Sequence, residues 1–338
     1  MSLLDINDLG VRYSTDTGEV RAVDDVSFRI QEGETFGLVG ESGCGKTTLG
    51  KSILRLLDEN GYIAEGDVMF KDKDLASLSP KEIRDVRWAE ISTIPQSSMT
   101  GLNPVYKVGD QIVEAILRHE PETSAEEAYG RGRELLERVG IDGERADDYA
   151  HEFSGGMKQR AMIAMSIACG PDLIIADEPT TALDVIIQDE ILAEIEELQE
   201  EMGMSMLIIS HDISVIAETC DRVGVMYGGK MMEVGPTDEV FSSPSNPYTM
   251  GLKNSFPSIE QAGDTRLVSI PGSPPSLTNP DAGCRFRARC PFAVPECDTS
   301  HPSMFDVKGN PEHNSACYRL DELEHLQAES EKEETWTR

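Results

Sequence analysis

Eight residues, Gly40-Glu41-Ser42-Gly43-Cys44-Gly45-Lys46-Thr47, match G-x-x-x-x-G-K-[ST] without a mismatch. The flanks fit the motif. Thr35 to Val39 reads as a short buried strand, and Thr48 to Leu57 carries Leu49, Ile53, Leu56 and Leu57 on one helical face. Strand, glycine turn and helix together make a phosphate cradle. The glycines let the chain curl so that several main-chain N–H groups point inward, and the helix start adds partial positive charge. Lys46 is then placed to reach the β- and γ-phosphates of a nucleotide, and the Thr47 hydroxyl to bind Mg²⁺.

The chain's other chemistry must be compatible with that loop. Its 338 residues suggest two or three domains, and no apolar run approaches the roughly 18 residues of a membrane span. The first residues, MSLLDINDLGVRY, already alternate like a strand, so no secretory signal is expected. Sixty-two acidic against 30 basic residues give a net charge of −32, spread along the chain. Such charge makes a compact state repel itself unless salt screens it, which predicts a halophile with a salty cytoplasm. The same charge argues against nucleic acid as a main partner, because phosphate backbones select Lys and Arg.

Residues 3–30 read as a small antiparallel sheet around a Thr-Asp-Thr-Gly turn, with strands also expected at 66–70 and 91–95. Tyr13 is either a purine-stacking ring or a half-buried strand tyrosine. Residues 105–150 predict helices without strands, a helical insert. Phe153-Ser154-Gly155-Gly156-Met157 opens a helix that Ser154 can cap. Its glycine-rich start offers N–H groups to an anion, although a plain cap explains the segment equally well. Leu173-Ile174-Ile175-Ala176 is a continuous apolar run ended by Asp177 and Glu178, the pattern of a parallel strand covered on both faces. Carboxylates at such a strand end suit Mg²⁺ binding by Asp177 and proton acceptance by Glu178 from a water attacking the γ-phosphate. A helix over 185–202 and a strand over 205–210 lead to His211, placed to contact that phosphate. Strands at 223–227 and 230–234 close the core at Gly235. Beyond Pro236, Pro and Ser recur and periodicity fades, so an appended module is expected, compact only where its cysteines join it.

Taken in order, Tyr13, GESGCGKT, Gln96, FSGGM, LIIADE, Ala182-Leu183-Asp184 and His211 resemble the nucleotide-binding subunit of ABC transporters. IPQSSMTGLNP, YAHEFSGGMKQR and SNPYTMGL resemble its oligopeptide/dipeptide importer branch, here with a haloarchaeal composition. Asn246 stands where that branch usually has His, and Met157 where the general signature has Gln. The resemblance implies an α/β P-loop NTPase: a RecA-like core with an antiparallel β-subdomain and a helical subdomain, plus a cysteine-rich C-terminal extension. It places the ATPase domain at 1–235, the helical subdomain at about 97–160, the extension at 236–320 and an acidic, partly helical or disordered tail at 321–338. It implies that Tyr13, the loop residues Gly40, Glu41, Ser42, Gly43, Cys44, Gly45, Lys46 and Thr47, then Thr48 and Gln96 bind ATP. Thr47, Gln96 and Asp177 hold Mg²⁺, and Glu178 and His211 are catalytic. Ser154, Gly155, Gly156 and Met157 would serve the ATP of a second, homologous ATPase subunit. Further implied partners are two permease subunits and, indirectly, an extracellular solute-binding protein, at the cytoplasmic face of the cell membrane.

Four of the seven cysteines, Cys284, Cys290, Cys297 and Cys317, crowd into the last quarter of the chain. Without an export signal the crowding suggests metal before disulfides. Converging thiolates can hold an iron–sulfur cube or one Zn²⁺, and gaps of five and six residues exceed the usual zinc spacing. The branch resembled carries a similar cysteine motif associated with a [4Fe-4S] cluster. Arg285, Arg287 and Arg289 are expected to offset its charge and donate N–H···S bonds. Against peptide import stand import of nickel or another small solute by the same machinery, and a soluble ABC ATPase of translation or repair. The latter usually carries two such domains or a long coiled coil, and this sequence has neither.

Overall fold

A computed structural model describes residues 1–96, 101–180, 184–255 and 269–337, with the side chains of residues 185 and 186 left out. Ser97 to Thr100 of the IPQSSMT segment, and Ala182 and Leu183, fall outside these residues. The chain forms two compact units that interleave in sequence. One comprises Ile30–Thr35 and Ser77–Ile209, the other Ser2–Arg29, Phe36–Ala76 and Ser210–Arg338.

The expected antiparallel sheet is present and longer than its sequence pattern suggested. Strands β1 (Ser2–Thr15), β2 (Gly18–Gln31), β4 (Gly61–Phe70) and β5 (Lys73–Asp74) lie in the order β2-β1-β4-β5. β1 pairs antiparallel with β4, setting Tyr13 opposite Gly61. The alternation is clean only in part of β1 because register shifts between Asn7 and Val11 move side chains from one face to the other.

The first unit is built on three parallel strands, β6 (Ile91–Ile94), β7 (Leu173–Asp177) and β8 (Ser205–Ser210), with β7 paired to both others. Leu173 to Ala176 and all of β8 are buried, as a run apolar on both faces requires. The helical insert is also present. Helices Val108–His119 and Ala125–Arg138 bury Val108, Ile112 and Ile116 on one and Ala128, Gly132 and Leu136 on the other, each set four residues apart. Gly132 faces Ile112 and Val113, from which a Cβ would stand at the ordinary contact distance of 3.6 Å. Ser124 caps the second helix by accepting a hydrogen bond from the Glu127 amide.

The second unit contains β3 (Thr35–Val39), parallel to β9 (Arg222–Tyr227), which pairs antiparallel with β10 (Lys230–Pro236). Pairing continues past Gly235. β12 (Asn310–Ser315) adds to the outer edge of β10, and β11 (Phe305–Val307) adds to β12. The segment beyond Pro236 is therefore anchored by more than its cysteines. Glu233 on β10 is completely buried. Its carboxylate accepts from the Ser245 amide and hydroxyl, the Asn246 amide and His313 Nε2 at 2.6–3.0 Å. Burial opposes a charge on His313, but its contacts with Glu233 and Glu239 outweigh that and raise its pKa.

The tail differs from the disordered option. Helices Leu323–Ser330 and Glu333–Trp336 bury Leu323, Leu326 and Trp336. The Trp336 indole donates to Ser330 O, and its ring lies so close over Gly251 that a Cβ there would come within 2.6 Å. Acidic composition hid three apolar anchors.

Candidate nucleotide-binding site and cysteine cavity

Within the second unit, β3 runs into the glycine loop and the loop into helix Lys46–Ile53, which starts two residues earlier than its apolar pattern indicated. Gly45 caps that helix in the left-handed region (φ 109°), and a Cβ on it would stand 2.1 Å from Ala22 O. A Cβ on Gly40 would stand equally close to Met226 O. The two glycines are thus required by neighbouring backbone, which cannot yield. Lys46 is buried, and its ammonium donates to Gly40 O at 2.7 Å and Glu41 O at 3.2 Å. Cys44 is buried between them, and burial, against the pull of Lys46, raises its thiol pKa. Ser42 and Gly43 are exposed, and Thr47 and Thr48 half-buried. Tyr13 is half-buried with its ring edge over Gly61, where a Cβ would meet it at 2.7 Å. His211 directly follows β8 and is exposed.

Within the first unit, Asp177 ends β7 and Glu178 follows it, both half-buried. Glu178 has φ 49°, left-handed backbone that a side-chain-bearing residue adopts at a cost of about 1–2 kcal/mol. Its amide donates to Ile209 O at 2.8 Å, which holds the turn. Gln96 Nε2 donates to Glu178 Oε2 at 2.7 Å, so two predicted site residues 82 positions apart are brought together. Ser154 caps helix Gly155–Ser166 through the Met157 amide, as its spacing predicted. Gly156 lies against Ile187, where a Cβ would stand 3.3 Å from the isoleucine. Arg145 sits over the Phe153 ring at 4.9 Å, pinning the turn before the cap.

Cys284, Cys290, Cys297 and Cys317 all line one cavity, with walls from Phe286, Phe292 and Tyr318. None is in a disulfide. The Cys317 sulfur accepts from the Arg319 amide at 3.4 Å, and the Phe286 and Phe292 amides, each two residues on, act against burial at Cys284 and Cys290. Burial pushes the Cys317 thiol up to about 11 and raises Cys290 and Cys284 as well. The arginines do not behave as expected. Arg285 pairs with Asp24 at 2.5 Å, Arg287 with Asp281 at 2.6 Å and Arg289 with Glu41 at 2.7 Å. Further donors go to main-chain carbonyls and to the Tyr227 hydroxyl. Against burial, Arg287 acts on Cys284 through its main-chain amide and then its charge. Among the described residues, no group of three His, Cys, Asp or Glu could hold a single metal ion.

Two contributors escaped the sequence pattern. Asn246, standing in place of the usual His, caps helix Pro247–Asn254 through the Tyr248 amide and donates to Met232 O and Ala316 O, both at 3.0 Å. The short polar amide thus ties β10 to the segment carrying Cys317. Tyr248 is fully buried and accepts from the Glu41 amide at 3.0 Å. Glu233 could have been flagged as an acid inside the apolar run Met231 to Val234, but its partners lie in another segment.

Comparison with known proteins bears on both regions. A family model described as "ABC transporter" matches residues 23–181, and one described as "Oligopeptide/dipeptide transporter, C-terminal region" matches residues 232–297. The chain is 46% identical over 308 residues to the oligopeptide transport ATP-binding protein OppD of Bacillus subtilis, covering 90% of this chain and 86% of that one. It is 47% identical over 305 residues to the dipeptide transport ATP-binding protein DppD of the same organism, covering 89% and 90%. A probable peptide ABC transporter ATP-binding protein of Sinorhizobium fredii is 45% identical over 327 residues, covering 96% and 97%. Among solved structures, the ATP-binding cassette MJ0796 bound to ADP and Pi aligns with TM-score 0.63 and 26% identity, over 69% of this chain and 98% of that one. Clostridium perfringens cbiO1 aligns with TM-score 0.61 and 27% identity, over 71% and 91%.

Proposed function

This chain belongs to the ABC transporter ATP-binding family, in the branch whose members carry the oligopeptide/dipeptide C-terminal region, and from that we propose how it works. It is the ATP-binding and ATP-hydrolysing subunit of a peptide importer. The observation that carries this is similarity across nine tenths of the chain to proteins named for oligopeptide and dipeptide transport.

We infer the following roles. The amides from Gly40 to Thr47 and the Lys46 ammonium bind the triphosphate, with Tyr13 against the base. Thr47, Asp177 and Gln96 are the Mg²⁺ ligands. Glu178 takes the proton of the attacking water, and the strained turn at φ 49° together with Gln96 supports that role by fixing its carboxylate. His211 contacts the γ-phosphate. Ser154, Gly155, Gly156 and Met157, at a capped helix start, serve ATP held by a second ATPase subunit. No helix among the described residues is long and apolar enough to cross a membrane. We place the chain at the cytoplasmic face of the membrane beside two permease subunits. The test is reconstitution in proteoliposomes with the permeases and binding protein. Phosphate release should rise when short peptides are supplied, and stimulation by nickel alone would reassign the cargo.

The extension carries a second proposal, a [4Fe-4S] cluster on Cys284, Cys290, Cys297 and Cys317. The donor set fits: four sulfurs line one apolar cavity, and Cys317 already accepts a main-chain N–H bond, as cluster sulfurs do. The gaps of five and six residues between the first three cysteines suit a cube better than Zn²⁺. When bound, the cluster would supply a four-point cross-link, while the residues around it hold the fold. Finally, the charge of −32 is read as adaptation to salt. The Debye length falls from about 10 Å at ~0.1 M to about 3 Å at ~1 M. The thermal midpoint is therefore expected to rise between those KCl concentrations, and a fall would refute the halophilic reading.

A further inference from the structure

Glu41, near the start of the loop, is gripped twice from the carboxyl-terminal segment. Its carboxylate takes a 2.7 Å bond from Arg289 Nη1, and its amide donates to the Tyr248 hydroxyl at 3.0 Å. Its carbonyl, in turn, accepts from the Lys46 ammonium and from the Cys44 amide at 3.2 Å each. Neither gripping residue is loosely held. Arg289 keeps only 8% of its side chain exposed and spends its other donors on Pro271 O, Ile270 O and the Tyr227 hydroxyl. Tyr248 is buried in an aromatic trio with Tyr227 and Phe286, with ring centroids 4.6 and 5.3 Å from its own. A charge-assisted bond from a guanidinium so fully occupied fixes position as well as energy. The grip also falls at the loop's entry.

We propose that Arg289 and Tyr248 are positioning residues of the nucleotide site: they hold Glu41, and through its carbonyl they set where Lys46 stands. This rests on the nucleotide reading of the loop given above. On it, the extension is a working part of the phosphate site as well as an appendage. Loosening the grip lets the loop and its lysine sample positions that bind triphosphate less well, so the effect appears in ATP affinity before it appears in turnover.

The test uses the full-length chain with Mg²⁺ and a ribose-labelled fluorescent ATP, and steady-state turnover of the assembled transporter. Glu41→Gln and Arg289→Gln should each weaken binding about tenfold, the size of one charge-assisted hydrogen bond, and Tyr248→Phe about threefold. In each, KM should rise by more than kcat falls. The double variant Glu41→Gln/Arg289→Gln should be no weaker than about threefold below the worse single, because both break one contact. Glu41→Gln leaves the Arg289 bonds to Pro271 O, Ile270 O and the Tyr227 hydroxyl in place, so it remains informative if Arg289→Gln fails to fold. Lys46→Ala is the reference. If it abolishes binding while Glu41→Gln and Tyr248→Phe both bind within about twofold of the parent, this proposal falls and the nucleotide reading stands. Multiplicative losses in the double variant also overturn it. If Lys46→Ala binds as the parent does, the nucleotide reading itself falls, and this proposal with it.

Discussion

Glu178→Gln in the assembled transporter is expected to lower ATP turnover by about 10²- to 10³-fold, within the range for loss of a general base, while Mg-ATP binding persists. The substitution is the mildest available. Glutamine has the same length and retains a carbonyl oxygen to accept the Gln96 amide that now reaches Glu178 Oε2. The main-chain bond from residue 178 to Ile209 O is unaffected. What disappears is the ability to take a proton from water. The backbone at φ 49° supports the assignment from another direction. Such strain persists only where surrounding structure enforces it, and it gathers where a side chain must be aimed. Turnover is read as phosphate release and binding with labelled ATP in the same preparation. Turnover within about threefold of the parent would remove Glu178 from the mechanism, since general-base loss is worth far more. Loss of binding and turnover together would instead make it a ligand-holding residue.

What could be read directly from the sequence is what short-range physics decides. The helix Val185–Met202 and the strand Ser205–Ser210 end where their apolar patterns end. The caps at Ser124 and Ser154 close on the amides three residues on. The phosphate loop is local too, since its glycines, lysine and helix start are contiguous. The pairing of Gln96 with Glu178 is not local, and only the resemblance put both on one list. The carboxyl-terminal segment was least legible, for a definite reason. Its order comes from contacts between positions far apart: Glu233 with His313, Asn246 with Ala316, and Arg289 with Glu41, 248 residues away. None leaves a period in the sequence. Proline and serine there look like a linker, yet Tyr248 and Trp336 are buried. The arginines between the cysteines were misread because composition shows that charges are near one another and not which atoms they reach.

Cys290→Ser should have the largest effect on the extension. Chain purified without oxygen is expected to be brown and to carry iron and inorganic sulfide, and the variant to lose both. Cys290 is the right choice because it is buried in the cavity lining and burial raises its thiol, so an uncoordinated thiolate there is costly. Metal binding to a site of this kind is folding free energy. The variant's thermal midpoint should therefore fall by about 5–10 °C, a few kcal/mol in a chain of this size. The loss should be concentrated where amide exchange reports on the Cys284–Cys317 segment, because the helical insert has its own core at Ile112, Ile116 and Leu136. Colourless protein with one zinc per chain would replace the cube by a zinc site. Protein free of both metals, with Cys290→Ser as stable as the parent, would mean that the Glu233 network and the aromatic trio alone hold the extension in place.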